Sequence, residues 1–260
     1  MGYTALRFEI HGGVATITLN RPSSANAVDL TLAQELYGAA LSCESDSSIR
    51  TVIITAEGTM FCGGGNLKDF AARGDDLPRH LTEVTAFLHG AIEHFTSMSP
   101  PVIAAVQGMA AGAGMSLACA CDIVLAARSA RFTMAYTALG LSPDGGGTFT
   151  LPRLVGHGRA LELMLTNRVL SAEEACRLGI VTQVTDDEAL LPEAASLAQR
   201  FVSGPTAAYG ATKRLMLAST HGTLESQLRL EQASIAALAA APNGREGIQA
   251  FSERRAPRFG

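Results

Sequence analysis

One stretch decides the fold, PVIAAVQGMAAGAGMSLACACDIVLAA (Pro101–Ala127). Its apolar run VIAAV (Val102–Val106) predicts a buried strand. The glycine-rich loop Gly108–Gly114 then opens an apolar helix that runs to about Cys121, and Ile123–Ala127 predicts the next strand. Strands that alternate with helices in this way indicate the α/β class.

The chain upstream of this stretch shows a similar succession of elements. Residues 3–20 predict two short strands that turn at Gly12-Gly13, and Asp29–Cys43 has the apolar spacing of a helix. Thr51–Thr55 predicts another short buried strand, and a loop with consecutive glycines, Gly63–Gly65, follows it. No interdomain linker or low-complexity tract interrupts this rhythm.

Helices are expected to dominate further along the chain. The polar segment Arg73–Pro78 predicts a mobile loop, and Leu81–Phe95 has helical spacing that Pro100-Pro101 brings to an end. Leu224–Leu238 and Arg245–Arg255 predict amphipathic helices. We therefore expect the chain to be wholly helical beyond about residue 195.

The composition excludes several classes of protein. With 260 residues, of which 47% are apolar and 17% charged, the chain has enough apolar residues for a large core and is not disordered. The net charge of −4 opposes general binding to nucleic acids, which requires a basic surface. No apolar run reaches the roughly 18 residues of a membrane-spanning helix, and the N-terminus lacks the apolar centre of a signal peptide. We therefore expect a cytoplasmic protein.

The cysteines indicate neither a disulfide framework nor a metal site. Their number, five, is odd, no CxxC pair occurs, and the C-x-C of Cys119 and Cys121 has no further ligands nearby in the sequence. The metal-binding motif HExxH is also missing. We expect reduced, mostly buried thiols and no bound metal ion.

Five stretches together resemble the enoyl-CoA hydratase/isomerase (crotonase) superfamily, in the same order and over essentially the whole chain. They are LNRPSSANAV (Leu19–Val28), MFCGGGNLKDF (Met60–Phe70), the run from Pro101 through LGLSPDGGGTFTLPRLVG (Leu139–Gly156), LTNRVLSAEEACRLGIVTQV (Leu165–Val184) and REGIQAFSERRAPRF (Arg245–Phe259).

The resemblance implies the crotonase (ClpP-like) fold, a spiral of ββα units with two nearly perpendicular sheets and a C-terminal helical trimerisation region. Residues 1–195 would form the core for acyl-CoA binding and catalysis, and residues 196–260 the helical oligomerisation region. It also implies a homotrimer or a hexamer built as a dimer of trimers. The closest pattern is that of enoyl-CoA isomerases, including the epoxyphenylacetyl-CoA type.

The resemblance implies an oxyanion hole made by the backbone N–H groups of Gly65 and Ala113. A thioester carbonyl gains negative charge when its α-carbon loses a proton, and fixed N–H donors stabilise that charge. Ala113 follows a glycine-rich turn at the start of a predicted helix, so the positive end of the helix would add to the field. The family usually has glycine at this position.

The resemblance also implies that coenzyme A enters as part of the substrate, without a separate cofactor. Phosphate-binding P-loop and dinucleotide motifs are absent from the sequence. The residues expected to bind the thioester, in addition to the two donors, are Ser24, Ala25, Ala27, Gly63, Gly64, Asn66, Leu67, Lys68, Gly112 and Tyr136. Lys68 is a candidate partner for a CoA phosphate.

The expected acid/base group is Asp144. Hydratases of the family use two glutamates, and the matching positions here hold Ser116 and Tyr136, which are poor bases near neutral pH. An acidic residue at position 144 resembles the isomerases, in which one base removes a proton and returns it to another carbon. The sequence therefore favours double-bond or ring isomerisation over hydration.

Three alternatives remain open, and enoyl-CoA hydration is the first of them. His89 and Asp144 resemble the pair of 4-chlorobenzoyl-CoA dehalogenases, in which the aspartate attacks the aromatic ring and the histidine activates the hydrolytic water. This chain lacks the tryptophan that lines the ring pocket of those enzymes, and Tyr136 stands at a matching position. A catalytically silent acyl-CoA-binding subunit is the non-enzymatic alternative.

Overall fold

The computed structural model of the chain describes residues 2–260. The strands are β1 (Leu6–His11), β2 (Val14–Leu19), β3 (Thr51–Ala56), β4 (Met60–Cys62), β5 (Val102–Val106), β6 (Met109–Ala111), β7 (Ile123–Ala127), β8 (Arg131–Thr133), β9 (Leu170–Ser171) and β10 (Gln183–Thr185). The helices are α1 (Leu30–Ser45), α2 (Leu67–Ala71), α3 (Leu77–Ser97), α4 (Ala113–Ala120), α5 (Gly147–Val155), α6 (His157–Thr166), α7 (Ala172–Arg177), α8 (Leu190–Val202), α9 (Thr206–Ala218), α10 (Leu224–Ala240) and α11 (Pro242–Ser252).

Six strands form the large sheet, in the order β1-β2-β3-β5-β7-β10. The β1–β2 hairpin is antiparallel, and every following pair is parallel, with Val52 opposite Val102 and Ile103 opposite Ile123. The first five residues of β3 and all of β5 are buried. Their nearly continuous apolar sequences follow from this, because a parallel sheet is covered on both faces.

Four short strands, which the sequence did not predict, form a second sheet in the order β4-β6-β8-β9. β4 pairs with β6 and β6 with β8 in parallel, so the carboxyl ends of these three strands lie at one edge. Each follows a strand of the large sheet, and β4 and β6 each precede a helix. The chain therefore winds as the expected spiral of ββα units.

Helix α3 begins earlier than the sequence predicted. The segment Arg73–Pro78, expected to be a loop, contains a 3-10 turn at Gly74–Asp76 and the start of the helix at Leu77. Pro78 is compatible with this start, because the first turn of a helix does not need its N–H groups for internal hydrogen bonds. α3 packs along α1, and its Leu88 and Phe95 are fully buried in the core.

Helix α8 packs on β3, β5 and β7, and the predicted boundary at residue 195 falls inside it. The helices that follow, α9 to α11, contact the sheets less and expose several large apolar side chains. The division into a core and an oligomerisation region remains a prediction. Among residues 2–260, no helix combines the length and apolar character needed to cross a membrane.

All five cysteines are free thiols, as predicted. Cys43, Cys62 and Cys119 are buried, and the other two are half-buried. Burial raises the pKa of Cys62 to about 11 and that of Cys119 to about 12. These side chains therefore behave as small apolar core residues rather than as nucleophiles.

Candidate active site

A cavity of about 250 Å³ lies where β4, β6 and β8 end. Residues of the loop after each of these strands form part of its wall, and α2 and α3 form another part. Most of the wall is apolar, with the side chains of Val28, Leu67, Phe70, Leu81, Val84, Leu88, Leu139 and Leu141. Asp144 is the only carboxylate that lines it within residues 2–260.

In the loop after β4, the backbone N–H of Gly65 points away from the segment around Val28 with which the loop pairs. Val28 N–H donates to Gly64 O at 2.7 Å, and Asn66 N–H donates to Val28 O at 2.8 Å, which makes a parallel bridge around Gly65. In such a bridge the N–H of the middle residue points to the opposite side. Within residues 2–260 this N–H has no acceptor, and Gly65 lines the cavity.

The loop after β6 supplies the second donor. Gly112 is the N-cap of α4 with φ of +52°, and its N–H donates to Thr133 O at 3.0 Å. Ala113 is the first helical residue, so its N–H has no partner inside the helix, and none elsewhere in the described chain. Ala113 lines the cavity, where the positive end of α4 strengthens the field of this donor.

The two donor loops touch each other. Gly64 has φ of +94°, and a Cβ placed there would lie 3.1 Å from the carbonyl oxygen of Ala111. A side chain at this position would therefore be strained and would crowd the loop after β6. The close approach brings the residues that carry both free N–H groups to the same side of the cavity.

The loop after β8 carries the polar side chains of the site. Ala135 adopts a left-handed φ of +54°, and the following residue, Tyr136, lines the cavity. Tyr136 Oη donates to Asp144 Oδ1 at 2.5 Å and lies 3.3 Å from Oγ of the buried Ser116. Burial, and after it the negative charge of Asp144, raises the pKa of the Tyr136 phenol far above its usual value. Ser116, Tyr136 and Asp144 thus form one hydrogen-bonded chain.

His89 reaches the same turn from outside the cavity. It lies on α3 with an exposed side chain, and its Nε2 accepts a hydrogen bond from Gly145 N–H at 3.1 Å. Nε2 is therefore unprotonated in this arrangement. His89 does not line the cavity but holds the residue next to Asp144.

The residues expected to bind the thioester fall into two groups. Those that line the cavity are Gly63, Gly64, Gly65, Leu67, Gly112 and Tyr136. Those beside it are Ser24, Ala25, Ala27, Asn66 and Lys68. Ala25 O accepts from Gly63 N–H at 2.9 Å, so the loop with Ser24 and Ala27 packs against the glycine loop. Asn66 caps α2, and Lys68 is exposed on that helix without an ion pair among residues 2–260.

Several cavity residues were not identified from the sequence. Val84, Thr85 and Leu88 of α3 form one wall, and Ala135 and Ser142 lie on the loops at the other side. The helical spacing that predicted α3 also predicted a buried face at Val84 and Leu88. It gave no indication that this face borders a cavity as well as the core.

Two free N–H donors and one carboxylate surround an apolar cavity. Such an arrangement can stabilise a developing anion and transfer a proton, which are tasks of an enzyme.

Comparisons with known proteins identify the family. The chain matches the family model described as enoyl-CoA hydratase/isomerase over residues 9–260. It is 40% identical over 259 residues to a protein of Rhodobacter capsulatus named probable enoyl-CoA hydratase, covering 100% of this chain and 99% of the relative. It is 39% identical over 254 residues to the 1,2-epoxyphenylacetyl-CoA isomerase of Escherichia coli, covering 96% of both chains.

The fold agrees with this similarity. The crystal structure of an enoyl-CoA hydratase from Polaromonas sp. JS666 aligns with a TM-score of 0.94 at 36% identity, covering 99% of this chain and 100% of that chain. The chain belongs to the enoyl-CoA hydratase/isomerase family and has its crotonase fold.

Proposed function

We propose that this enzyme isomerises an unsaturated acyl-CoA, with Asp144 as the group that carries the proton. The observation that carries the proposal is that Asp144 is the only carboxylate lining the cavity within residues 2–260, and that Gly65 and Ala113 line the same cavity. One carboxylate and two N–H donors suffice for a proton shuttle, whereas the hydratases of the family use two carboxylates.

The reaction starts with removal of a proton from C2 of a 3-enoyl thioester by the Asp144 carboxylate. The electron pair of the broken C–H bond moves into a dienolate, and the N–H groups of Gly65 and Ala113 stabilise the charge on its oxygen. Protonated Asp144 then returns the proton to C4, and the double bond moves to C2–C3. Atoms and charge balance without a further reactant.

The proposal extends to the two parts of the substrate. The CoA portion lies along the loop with Ser24, Ala25 and Ala27 and along Gly63–Lys68, where the exposed ammonium of Lys68 meets a phosphate. The acyl portion occupies the cavity, whose apolar wall favours an uncharged hydrocarbon group. Coenzyme A enters as part of the substrate.

The surroundings of Asp144 give hydration little support. Ser116 is neutral and fully buried, and the raised pKa of Tyr136 keeps its phenol protonated. Neither side chain accepts a proton from water at neutral pH. The missing second base is the argument against a hydratase.

Dehalogenation is the second candidate, because His89 lies beside the turn that carries Asp144. In that reaction Asp144 attacks the aryl carbon that bears the halogen, the halide leaves, and His89 activates water to hydrolyse the resulting aryl ester. His89 Nε2 is already occupied as the acceptor for Gly145 N–H, so this bond must break before His89 acts as a base.

The test is a panel of CoA esters followed by mass spectrometry. Isomerisation leaves the mass unchanged, hydration adds one water, and dehalogenation replaces halide with hydroxyl. In Asp144→Asn, conversion of 3-enoyl-CoA to 2-enoyl-CoA should fall about 10²- to 10⁴-fold, because the amide keeps the shape but not the base. Substrate binding should change little, and hydration that survives this substitution would contradict the proposal.

His89→Gln separates the two aspartate mechanisms. A proton-shuttling isomerase should keep its rate within a few-fold, because the glutamine amide oxygen still accepts a hydrogen bond. A dehalogenase should instead accumulate a covalent aryl ester on Asp144, since nothing activates the water. Intact-mass detection of that ester with a halobenzoyl-CoA would replace the isomerase proposal with the second candidate.

A further inference from the structure

The two carboxylate oxygens of Asp144 have different surroundings. Oδ1 accepts the hydrogen bond from Tyr136 Oη at 2.5 Å. Oδ2 has no protein hydrogen-bond partner within residues 2–260. A carboxylate held by one oxygen has one free oxygen for proton transfer.

Tyr136 is suited to remain a donor throughout the reaction. Its phenol has one proton, and its pKa is raised by burial and then by the charge of Asp144, so it does not ionise at neutral pH. Because this proton points to Asp144, the contact with Ser116 Oγ at 3.3 Å has Ser116 as the donor. Ser116 thus orients the phenol, and the phenol orients the carboxylate.

We propose that Tyr136 is a positioning residue that fixes Asp144 through Oδ1 and makes Oδ2 the oxygen that takes the proton from one carbon and returns it to the other. This inference rests on the proposed function of Asp144. Oδ2 gains the proton as the C2–H bond breaks, and loses it as the C4–H bond forms. The Tyr136 O–H bond stays intact, and no proton passes through it.

The test compares Tyr136→Phe with Tyr209→Phe, the same change on α9 at a tyrosine away from the cavity. In Tyr136→Phe, kcat for isomerisation should fall about 10- to 100-fold, and KM should change little. With a substrate deuterated at C2, less deuterium should reach C4 of the product, because a rotating carboxyl exchanges with solvent. Tyr209→Phe should leave all of these values unchanged.

Ser116→Ala tests the same chain of hydrogen bonds if Tyr136→Phe does not fold. It should lower kcat a few-fold and reduce deuterium transfer, and it should have no further effect in the Tyr136→Phe background. Unchanged kcat and unchanged deuterium transfer in both variants would overturn the inference, while loss of turnover in Asp144→Asn would keep the proposed function. Full activity of Asp144→Asn would instead remove the proposed function itself.

Discussion

Position 113 holds an alanine where the family usually has glycine. The backbone conformation at this position does not require glycine. Ala113 is the first residue of α4 and has no positive φ. Its Cβ therefore causes no strain, and its N–H remains free. The alanine is compatible with a role as the second donor.

Ala113→Pro should remove this donor at a small cost in folding. Proline is tolerated at the first helical position, where the N–H has no partner inside the helix. The rate should fall about 10²- to 10³-fold, as for loss of one oxyanion donor. Ala113→Gly retains the N–H and should keep the rate within a few-fold. Measured kcat and Tm decide this, and a folded proline variant with a near-normal rate would contradict the role of this N–H.

At the neighbouring position 114, the packing requires glycine. A Cβ placed there would lie 2.4 Å from the carbonyl oxygen of Cys62 and 2.6 Å from its Cβ. The glycine lets the start of α4 lie directly on the end of β4, which sets the spacing between the two donor loops. A methyl group must push these loops apart.

Gly114→Ala should therefore cost about 1–3 kcal/mol of unfolding free energy through overpacking, and should lower kcat along with it. Gly158→Ala is the matched control, because that glycine lies in α6 and a Cβ placed there would have no neighbouring atom within 4 Å. It should be neutral or slightly stabilising, by about 0.4–1 kcal/mol. Urea denaturation and steady-state rates measure both effects, and equal behaviour of the two variants would be inconsistent with the packing argument.

Helices α2 and α3 are joined by a partly buried hydrogen bond between Asp69 and His80. Asp69 Oδ2 lies 2.7 Å from Nε2 of His80, whose exposed fraction is 3%, and Asp69 also pairs with Arg73. α2 carries Leu67 and Phe70 of the cavity wall. The pair therefore holds α2 to α3 in the part of the cavity wall that the two helices share.

Asp69→Ala should destabilise the protein by about 1–3 kcal/mol, because it leaves the His80 nitrogen buried without a partner. KM should rise several-fold as α2 loosens. Asp76→Ala is the control, since it removes an exposed pair with Arg79 and should change little. Unfolding in urea and KM for a 3-enoyl-CoA measure the difference. An unchanged KM in Asp69→Ala would show that the contact between Asp69 and His80 does not contribute to substrate binding.

The same pair should make stability depend on pH. Partial burial raises the pKa of Asp69, but the hydrogen bonds from Arg73 and His80 outweigh it and leave the pKa below its usual value. A lowered carboxyl pKa contributes stability above the unfolded value, about 4, and this contribution is lost as pH falls through the folded value. The difference in unfolding free energy between wild type and Asp69→Ala should therefore shrink below about pH 4.

The elements differ in how far the sequence predicted them. In the large sheet, β3, β5 and β7 were predicted because buried parallel strands are short apolar runs between turns, and β1 and β2 were predicted from their alternation. β10 was missed, because it has only three residues. β4, β6 and β8 were missed, because three residues are too few to show any period. The start of α3 was missed because its first turn is polar and contains Pro78.

The site was predicted only in part for a related reason. The resemblance to the family supplied Gly65, Ala113 and Asp144, which the structure finds around one cavity. The contact between Tyr136 and Asp144 depends on left-handed backbone at Ala135 and Gly145, which residue spacing does not reveal.

The C-terminal helices expose the apolar side chains expected at a subunit interface. Ile235 on α10 is 70% exposed and Phe251 on α11 is 85% exposed in the single chain. Side chains of this size are normally covered, so we expect these helices to pack between subunits.

Light scattering should therefore give a mass that is a multiple of three chains, either a trimer or a hexamer. Phe251→Asp should lower that mass, because a carboxylate is costly to bury in an apolar interface. Leu191→Asp on α8 is the control, since Leu191 is also exposed, at 55%, but lies outside the C-terminal helices. A stable, active monomer at micromolar concentration would contradict this assembly.

The winding of the chain separates the two chemical tasks of the molecule. The residues that would hold the anion follow β4 and β6, whereas the residues that would move the proton follow β8. Mutations in the segment from Ala135 to Gly147 can therefore change which bond is made or broken without altering how the thioester is polarised. In evolutionary terms, a new activity on this scaffold requires that the loops after β4 and β6 are inherited unchanged and that the loop after β8 varies.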